Sequence, residues 1–239
     1  LVEKLMKLDQ LLKNQEEFMG SLAHEMKTPL TSIIGYADLM RIENLSEEEQ
    51  KEACGYIYSE GKRLQNLSLK LMNLLVLKNQ EFQMKKQNLV PMIHEVISSM
   101  QYRLQEQKIL VNLNLKPTIC EVEADLLKSL ILNLVDNSLK SMNVGGILTI
   151  ECCPAQEGAK IYVSDTGCGM PKGELDKITE AFYRVDKSRS RKQGGVGLGL
   201  ALCKEIVRIH KGDMEFISQE EKGTTAIITI GGGHYEKTD

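Results

Sequence analysis

The chain has 239 residues, of which 42% are hydrophobic, and a formal net charge of −3. This length and apolar content predict two ordinary domains with their own cores, and the small net charge gives no signal for binding nucleic acid. The six cysteines show neither CxxC pairs nor the spacing of metal ligands, which favours a reduced intracellular protein over a disulfide scaffold. The sequence begins at Leu1 in mid-helix by its pattern and has no apolar run long enough to span a bilayer. We therefore expect a piece of a longer protein whose preceding part holds a sensor or a membrane anchor.

The first predicted element is a long helix. Apolar or neutral residues recur at alternating spacings of four and three from Leu1 to Met40, which indicates a heptad seam. In this register His24 falls at the f position, the one farthest from the seam, and must face solvent. Pro29 has no N–H to donate to the carbonyl of Glu25, so we expect a bend at this turn. The seam contains Leu5, Leu8, Leu12, Gln15, Met19, Leu22 and Met26.

The stretch around His24 has the residue types of a nucleophilic site. A neutral imidazole keeps one nitrogen lone pair for attack, and a carboxylate that accepts the proton of the other nitrogen raises its nucleophilicity. Glu25 is the candidate for that base. Thr28, one turn further along, is a candidate to hydrogen-bond whatever group becomes attached to His24. On its own, this stretch is more typical of a surface histidine beside an ordinary helix kink.

A second helix is predicted to begin at the sequence SEEE. Ser46 and Glu49 have the S-x-x-E spacing of a capping box, in which each side chain accepts from the backbone amide of the other residue. Two helices of about 35 to 40 residues cannot bury their apolar stripes in a lone hairpin, so we expect pairing with a second chain into a four-helix bundle. The apolar face of the second helix consists of Ala53, Ile57, Leu64, Leu67, Leu71 and Leu74.

From about residue 85 the pattern changes to mixed helices and strands. Adjoining strands joined by hairpins, with the helices collected on one side, favour an α/β two-layer sandwich over a parallel doubly wound sheet. Helices are predicted at 90–108, 124–142 and 198–210, and strands at 109–115, 146–153, 159–165, 213–219 and 224–230.

Three stretches of this second region have residues suited to a nucleotide, although each alone is also typical of a solvated helix face or a turn. Asn133, Asn137 and Lys140 share one helix face, and two amides with a cation suit Mg²⁺ and phosphate. Asp165 ends a predicted strand, in DTGCGM. GGVGLGLAL leads directly into a helix, so that free amides converge on an anion, but it lacks the G-K-[ST] of a P-loop. The glycines that permit close approach of a ligand in these stretches are Gly167, Gly169, Gly195, Gly197 and Gly199.

In this order the motifs resemble those of the sensor histidine kinases of two-component signalling. AHEMKTPLTSIIGYADLM is similar to the H box of that family, LILNLVDNSLK to the N box, DTGCGM to the G1 box, EAFYRVDKSRSR to the F box and lid, and GGVGLGLAL to the G2 box. The resemblance implies a dimerisation and histidine-phosphotransfer domain at 1–82 and an ATP-binding domain at 83–239. The implied fold is an α-helical hairpin that dimerises into a four-helix bundle, followed by an α/β two-layer sandwich of the histidine kinase, gyrase and Hsp90 ATPase type.

The resemblance also implies a role for each matching residue. His24 would be the phospho-acceptor, Glu25 its base, and Thr28 the residue that orients water when the enzyme acts as a phosphatase. The implied nucleotide contacts are Asn137 for Mg²⁺ with Asn133 in support, Lys140 for phosphate, Asp165 for the adenine amino group with Gly167 and Gly169 around it, Phe182 and Arg184 in the mobile lid, and Gly195, Gly197 and Gly199 for the triphosphate.

Two positions depart from the family pattern: Ser141 stands where the N box often has an aromatic residue, and Val196 where the G2 box often has threonine. The implied cofactors are ATP and Mg²⁺, and the implied partners are a second copy of the chain and a response regulator. A membrane is reached only through a preceding part, so we expect the cytoplasmic portion of a cell-membrane sensor protein. Two other interpretations stay open: a dimeric clamp ATPase in which His24 has no catalytic part, and a non-enzymatic dimeric scaffold.

Overall fold

The computed structural model of the chain describes residues 2–42, 45–142, 144–156, 158–185 and 195–231. The chain divides into two compact units, of which the second begins at Asn73 and the first also takes in Val196. Two long helices open the chain, α1 (Val2–Ile42) and α2 (Glu47–Asn79). The predicted domain boundary between residues 82 and 83 lies just beyond the end of α2 and stays a prediction.

The two long helices run antiparallel as a hairpin, as predicted. Tyr36 of α1 stacks on Tyr56 of α2 with ring centroids 4.6 Å apart. Helix α1 is continuous through Pro29, so the proline does not end it, and the expected bend stays a prediction. No helix in the described part of the chain is both long enough and apolar enough to cross a membrane.

Helix α2 begins with the predicted capping box. The amide of Ser46 donates to Oε2 of Glu49 over 2.8 Å, and the amide of Glu49 donates to Oγ of Ser46 over 3.4 Å, which confirms the prediction. The predicted apolar face is likewise turned inward: Ala53, Leu67 and Leu74 are buried, and Ile57, Leu64 and Leu71 are half-buried.

The seam of α1 is not covered within the single chain. Leu5, Leu8, Leu12 and Met19 are each more than half exposed. A row of large apolar side chains in water is unfavourable by about 25 cal/mol for each Å² that a partner would bury. The hairpin therefore presents a long apolar stripe along the N-terminal half of α1.

The second unit is a sheet covered by helices on one face. Its five-stranded sheet has the order β2-β4-β5-β7-β6, with β2 parallel to β4 and the other neighbours antiparallel. Side chains alternate across it, so that Ile161 is fully buried whereas Lys160 is exposed. The elements are β1 (Lys85–Asn88), α3 (Leu89–Ser99), α4 (Gln101–Glu106), β2 (Ile109–Leu115), β3 (Ile119–Val122), α5 (Ala124–Ser141), β4 (Gly146–Ala155), β5 (Gly158–Asp165), a 3₁₀ turn (Lys172–Glu174), α6 (Gly199–Ile209), β6 (Asp213–Gln219) and β7 (Gly223–Ile230).

Two local features differ from the sequence prediction. The single helix predicted at 90–108 is interrupted at Met100, which is both the C-cap of α3 and the N-cap of α4 and whose side chain is buried. A small antiparallel sheet of β1 and β3 was not predicted. Asn88, the last residue of β1, also caps α3, because Oδ1 of Asn88 accepts from the amide of Val90 over 3.1 Å.

Candidate phospho-acceptor and nucleotide sites

His24 lies on the exposed side of α1, where the heptad register places it. Thr28 follows one turn later and is half-buried. Its hydroxyl donates to the carbonyl oxygen of His24 over 3.2 Å. This hydrogen bond holds the threonine against the turn that carries the histidine.

Glu25 is next to His24 in the chain, but its carboxylate is turned toward α2. Oε2 of Glu25 accepts from Nη2 of Arg63 over 2.9 Å, and the two side chains are only 7% and 12% exposed. Nη1 of Arg63 also lies 3.6 Å from Oε2 of Glu60. Successive residues of a helix project about 100° apart, which explains how an exposed imidazole and a buried carboxylate can be neighbours. The role of Glu25 as the base of His24 stays a prediction.

In the second unit, packing of α5 against α6 brings the N box to the start of the G2 helix. Asn133 and Asn137 lie one turn apart on α5, and both are half-buried. A side-chain carbon on Gly199, the first residue of α6, would lie 3.4 Å from Oδ1 of Asn133 and 3.8 Å from Oδ1 of Asn137. Leu198, at the N-cap of α6, provides no side-chain cap, so the first amides of this helix remain suited to an anion.

Lys140 lies on the same helix but is paired with a carboxylate. Its Nζ is 2.7 Å from Oδ2 of Asp136, and Nη1 of Arg103 is 2.7 Å from Oδ1 of the same residue. Burial tends to raise the pKa of Asp136, but the hydrogen bonds and charges of Lys140 and Arg103 outweigh burial and hold this pKa below its usual range. The contact of Lys140 with phosphate stays a prediction, and sequence reasoning did not single out Asp136 or Arg103.

Asp165, at the end of β5, is buried in a network of neutral donors. Its Oδ2 accepts from the hydroxyl of Ser138 over 2.9 Å. Its Oδ1 accepts from the hydroxyl of Ser141 over 3.0 Å and from the amide of Gly167 over 2.9 Å. Both serines belong to α5, so the helix of the two asparagines also orients the aspartate. Neither serine was predicted as a site residue.

The turn after Asp165 has no room for a side chain at position 167, so this residue must be glycine. A Cβ on Gly167 would lie 2.0 Å from Oγ of Ser141, far inside contact distance. Gly169 follows in the same turn and is half-buried. A cavity of about 660 Å³ opens beside Asp165, lined by residues 170–172 and by residues 217–220 and 222–225 at the joined ends of β6 and β7. This volume is in the range of small-molecule pockets.

The start of the predicted F box and lid, residues 180–191, contacts the predicted G2 box. The amide of Phe182 donates to the carbonyl of Gly197 over 2.8 Å. Phe182 has a φ of +68°, and a Cβ on Gly197, whose φ is +76°, would lie 2.7 Å from the Phe182 carbonyl carbon. Arg184 is half-buried, as is Gly195. Residues 186–191 of the predicted F box and lid lie outside the described residues.

The structure thus brings one set of predicted residues together in the second unit and carries the other set on the hairpin. Asn133, Asn137 and Gly199 face one another, and α5 connects them to Asp165 through Ser138. His24, Glu25 and Thr28 belong to α1.

Comparison with known families agrees with this division. Residues 14–74 match the His Kinase A (phospho-acceptor) domain, and residues 122–232 match the histidine kinase-, DNA gyrase B- and HSP90-like ATPase domain. The chain belongs to the sensor histidine kinases. The first of these domains is the phospho-acceptor domain of that family, and the second implies the use of ATP.

Known histidine kinases resemble the chain over most of its length. Sensor protein SrrB of Staphylococcus aureus is 29% identical over 229 residues, which cover 93% of this chain and 38% of SrrB. The histidine kinase AdeS of Acinetobacter baumannii has the same fold, with a TM-score of 0.68 at 19% identity over 88% of this chain and 98% of AdeS. Histidine kinase ThkA, solved in complex with the response regulator protein TrrA, has a TM-score of 0.75 at 21% identity over 95% of this chain and 66% of ThkA. The chain therefore spans well under half the length of its curated relative SrrB.

Proposed function

We propose that this chain transfers the γ-phosphoryl group of ATP to His24 and then to an aspartate of a response regulator. The observation that carries the proposal is the convergence of Asn133 and Asn137 with the start of α6, on the helix that also orients Asp165. The exposed imidazole of His24 supplies the acceptor. The complex of the structurally similar ThkA with TrrA supports a response regulator as the partner.

In this proposal the second unit binds the nucleotide through three kinds of group. Asp165 accepts a hydrogen of the 6-amino group of adenine, and the first amides of α6, with Gly195 and Gly197 before them, donate to the phosphates. Asn137 offers an amide oxygen of the kind that Mg²⁺ prefers, with Asn133 beside it. When bound with the triphosphate, Mg²⁺ neutralises the charge that develops on the phosphate oxygens. Phe182 and Arg184 belong to the lid that shields this pocket.

The transfer itself is an in-line displacement at the γ-phosphorus. A nitrogen lone pair of His24 forms the N–P bond while the bond from phosphorus to the β,γ-bridging oxygen breaks, and ADP leaves with that electron pair. The proton on the other imidazole nitrogen passes to a base, which we assign to Glu25. Arg63 competes for this carboxylate, so Glu25 must loosen its ion pair to act. Because His24 and the pocket belong to different units, they must meet within one chain or across a dimer.

Two further parts of the proposal concern the hairpin. The uncovered apolar seam of α1 favours a homodimer in which two hairpins form a four-helix bundle. In this proposal the hydroxyl of Thr28, which donates to the carbonyl of His24, also orients water against the phosphorylated aspartate of the regulator, and the chain is a phosphatase as well. The preceding part of the longer protein would hold the sensor and connect it to the membrane.

Incubation with Mg·[γ-³²P]ATP tests the proposal. We expect acid-labile, alkali-stable label on the wild type, none on His24→Gln, and nucleotide affinity within about twofold in both, because His24 lies outside the nucleotide unit. His94→Gln, which replaces an exposed histidine of α3, is the matched control and should keep its label. Label that persists on His24→Gln would exclude His24 as the acceptor. ATP hydrolysis without any label would favour the clamp ATPase, and no nucleotide binding at all would favour the scaffold.

The same samples address the hairpin. Sedimentation should show a dimer for both histidine variants. With a receiver domain added, Thr28→Ala should accept and pass on the phosphoryl group normally but prolong the half-life of the phosphorylated regulator. An unchanged half-life would remove Thr28 from the phosphatase step.

A further inference from the structure

We propose that Ser141 is a specificity-determining residue that positions Asp165, so that the pocket distinguishes a purine with a 6-amino group from one without it. This inference rests on the proposed function, in which Asp165 meets the base of ATP. Ser141 lies at the C-terminal end of α5, 24 residues before its partner in the sequence.

The carboxylate of Asp165 has a limited number of lone pairs that can accept hydrogen bonds. An ionised carboxylate has about four acceptor sites, two on each oxygen. The described residues fill both sites of Oδ1, through Ser141 and the amide of Gly167, and one site of Oδ2, through Ser138. A single acceptor site is left, on Oδ2. An incoming amino group can be accepted there without breaking any of the three hydrogen bonds.

The remaining acceptor site on Oδ2 of Asp165 has a fixed orientation. The last torsion of an aspartate side chain is soft and roughly two-fold, so its hydrogen bonds, rather than a rotamer well, set the plane of the carboxylate. Ser138 and Asp165 are buried, so these bonds act in a medium of low dielectric constant. Ser141 and Gly167 hold Oδ1 on one side, and the remaining site of Oδ2 is thereby aimed in one direction.

The side chain of Ser141 is itself held in place by its neighbours. Its hydroxyl also lies 2.8 Å from the carbonyl of Ser138, so one hydrogen is shared between that carbonyl and Oδ1 of Asp165. The hydroxyl occupies the space that a side chain at position 167 would need. Ser141 is therefore confined between its own helix, the turn at Gly167 and the carboxylate, which leaves it little freedom to point elsewhere.

The remaining site on Asp165 can only accept a hydrogen bond, and this decides which group is favoured at carbon 6 of the purine. A 6-amino group donates to it, whereas a hydrogen at the same carbon gives no bond, and a 6-oxo group places an acceptor against a carboxylate. Loss of Ser141 leaves the carboxylate anchored at Oδ1 by Gly167 alone. The plane of the carboxylate then turns more freely, and the 6-amino group adds less to the affinity for the nucleotide.

The test compares ATP with purine riboside triphosphate, which lacks the 6-amino group, by competition against a fluorescent nucleotide. Wild type should prefer ATP, and Ser141→Ala should lower that preference about fivefold, the change expected from one net hydrogen bond. The affinity of Ser141→Ala for purine riboside triphosphate should stay within about twofold of wild type. Saturating ATP should restore the autophosphorylation rate of Ser141→Ala, so that KM rises and kcat does not.

Ser99→Ala is the matched control. Ser99 also ends a helix and donates to the carbonyl three residues earlier, over 2.7 Å, but it does not contact Asp165. Its substitution should leave the preference unchanged. In an Asp165→Ala background, Ser141→Ala should have no further effect on the preference, because the serine acts through the aspartate.

Three results would overturn the inference. Equal weakening of both nucleotides by Ser141→Ala would mean that the serine only supports the fold, and an unchanged preference would mean that Gly167 and Ser138 suffice to orient the carboxylate. A further loss from Ser141→Ala in the Asp165→Ala background would mean that the serine acts on the base by another route. A wild type that binds neither nucleotide would instead refute the proposed function and the inference with it.

Discussion

Two carboxylates in the described part of the chain are almost fully buried, and they are stabilised in different ways. Glu25 of α1 is paired with a cation, Arg63 of α2. Asp165 at the end of β5 accepts only from neutral donors, two hydroxyls and one amide. In the first case the partner cancels the charge, and in the second the charge is retained and shared over three hydrogen bonds.

The difference bears on what each group can do. A carboxylate bound to an arginine is held toward that arginine, so its availability to another group depends on how α1 and α2 are packed. A carboxylate bound to neutral donors is held in a fixed orientation and is ready for a donor on a ligand. The hairpin thus carries a group that can be released, and the nucleotide unit carries one that is preorganised.

Removal of the cation should have the largest effect. Arg63→Met removes the cation paired with the buried Glu25, and we expect the free energy of unfolding of the hairpin to fall by about 3 kcal/mol. Helical circular dichroism during urea denaturation measures this change, and ATP affinity should stay as in the wild type. Adding Glu25→Gln to Arg63→Met should recover much of the loss, since the glutamine carries no charge.

Lys62→Met is the control for that experiment, because Lys62 is the exposed neighbour of Arg63 on α2 and hydrogen-bonds only along its own helix. Its effect should be within about 0.5 kcal/mol of zero. If Arg63→Met were as stable as Lys62→Met, the ion pair would contribute nothing, and Glu25 would already be available to His24.

Removal of the second carboxylate should show the opposite pattern. Asp165→Ala deletes the acceptor of the 6-amino group, so we expect ATP binding to weaken about 10- to 100-fold, as for a hydrogen bond to a charged group. The hairpin should unfold as before, since its contacts are untouched. Nucleotide titration measures the loss, and Asp213→Ala, which removes an exposed aspartate at the start of β6, should bind ATP normally. Wild-type affinity in Asp165→Ala would remove the aspartate from the pocket.

The same comparison shows what the sequence can and cannot predict. The hairpin follows from the heptad spacing and from the capping box of Ser46 and Glu49, both of which are local signals. Asp165 is marked by the glycines that follow it. Arg63 is not marked, because its partner is 38 residues away in sequence and the contact depends on the register of two helices. The one available signal is Glu60, which interrupts the apolar spacing of α2.

The second unit repeats this lesson. The long strands and α5 follow from their apolar patterns, but β1, with the sequence KKQN, has no apolar alternation and is formed only by pairing with β3. The break at Met100 accompanies the burial of its side chain, which is a property of the tertiary structure. Ser141 and Asp136 were missed as site residues for the same reason as Arg63, since their partners Asp165 and Arg103 belong to other elements.

A third carboxylate, Asp136, lies between the two extremes and gives the smallest expected effect. Like Glu25 it is paired with a cation, in its case with both Lys140 and Arg103, but it is partly exposed, as is Arg103. The lowered pKa of Asp136 means that the folded chain holds its ionised form more tightly than the unfolded chain does. Its contribution to stability is therefore complete above the ordinary pKa of 3.8 and is lost as the pH falls from there through the lower folded value.

Asp136→Asn tests whether the contribution of Asp136 to stability is lost on acidification. At pH 7 the variant should be less stable than the wild type by about 1 kcal/mol, a value reduced by solvent screening of the partly exposed Arg103. The difference should stay constant down to about pH 5 and shrink as the pH falls below the ordinary pKa, because the wild-type carboxyl then becomes neutral as well. Urea denaturation across this pH range measures it, with Asp213→Asn as the exposed control whose difference from wild type should stay near zero. A difference that grew on acidification would mean that Lys140 and Arg103 do not stabilise the ionised form, and contact of Lys140 with the phosphates would then not require its release from Asp136.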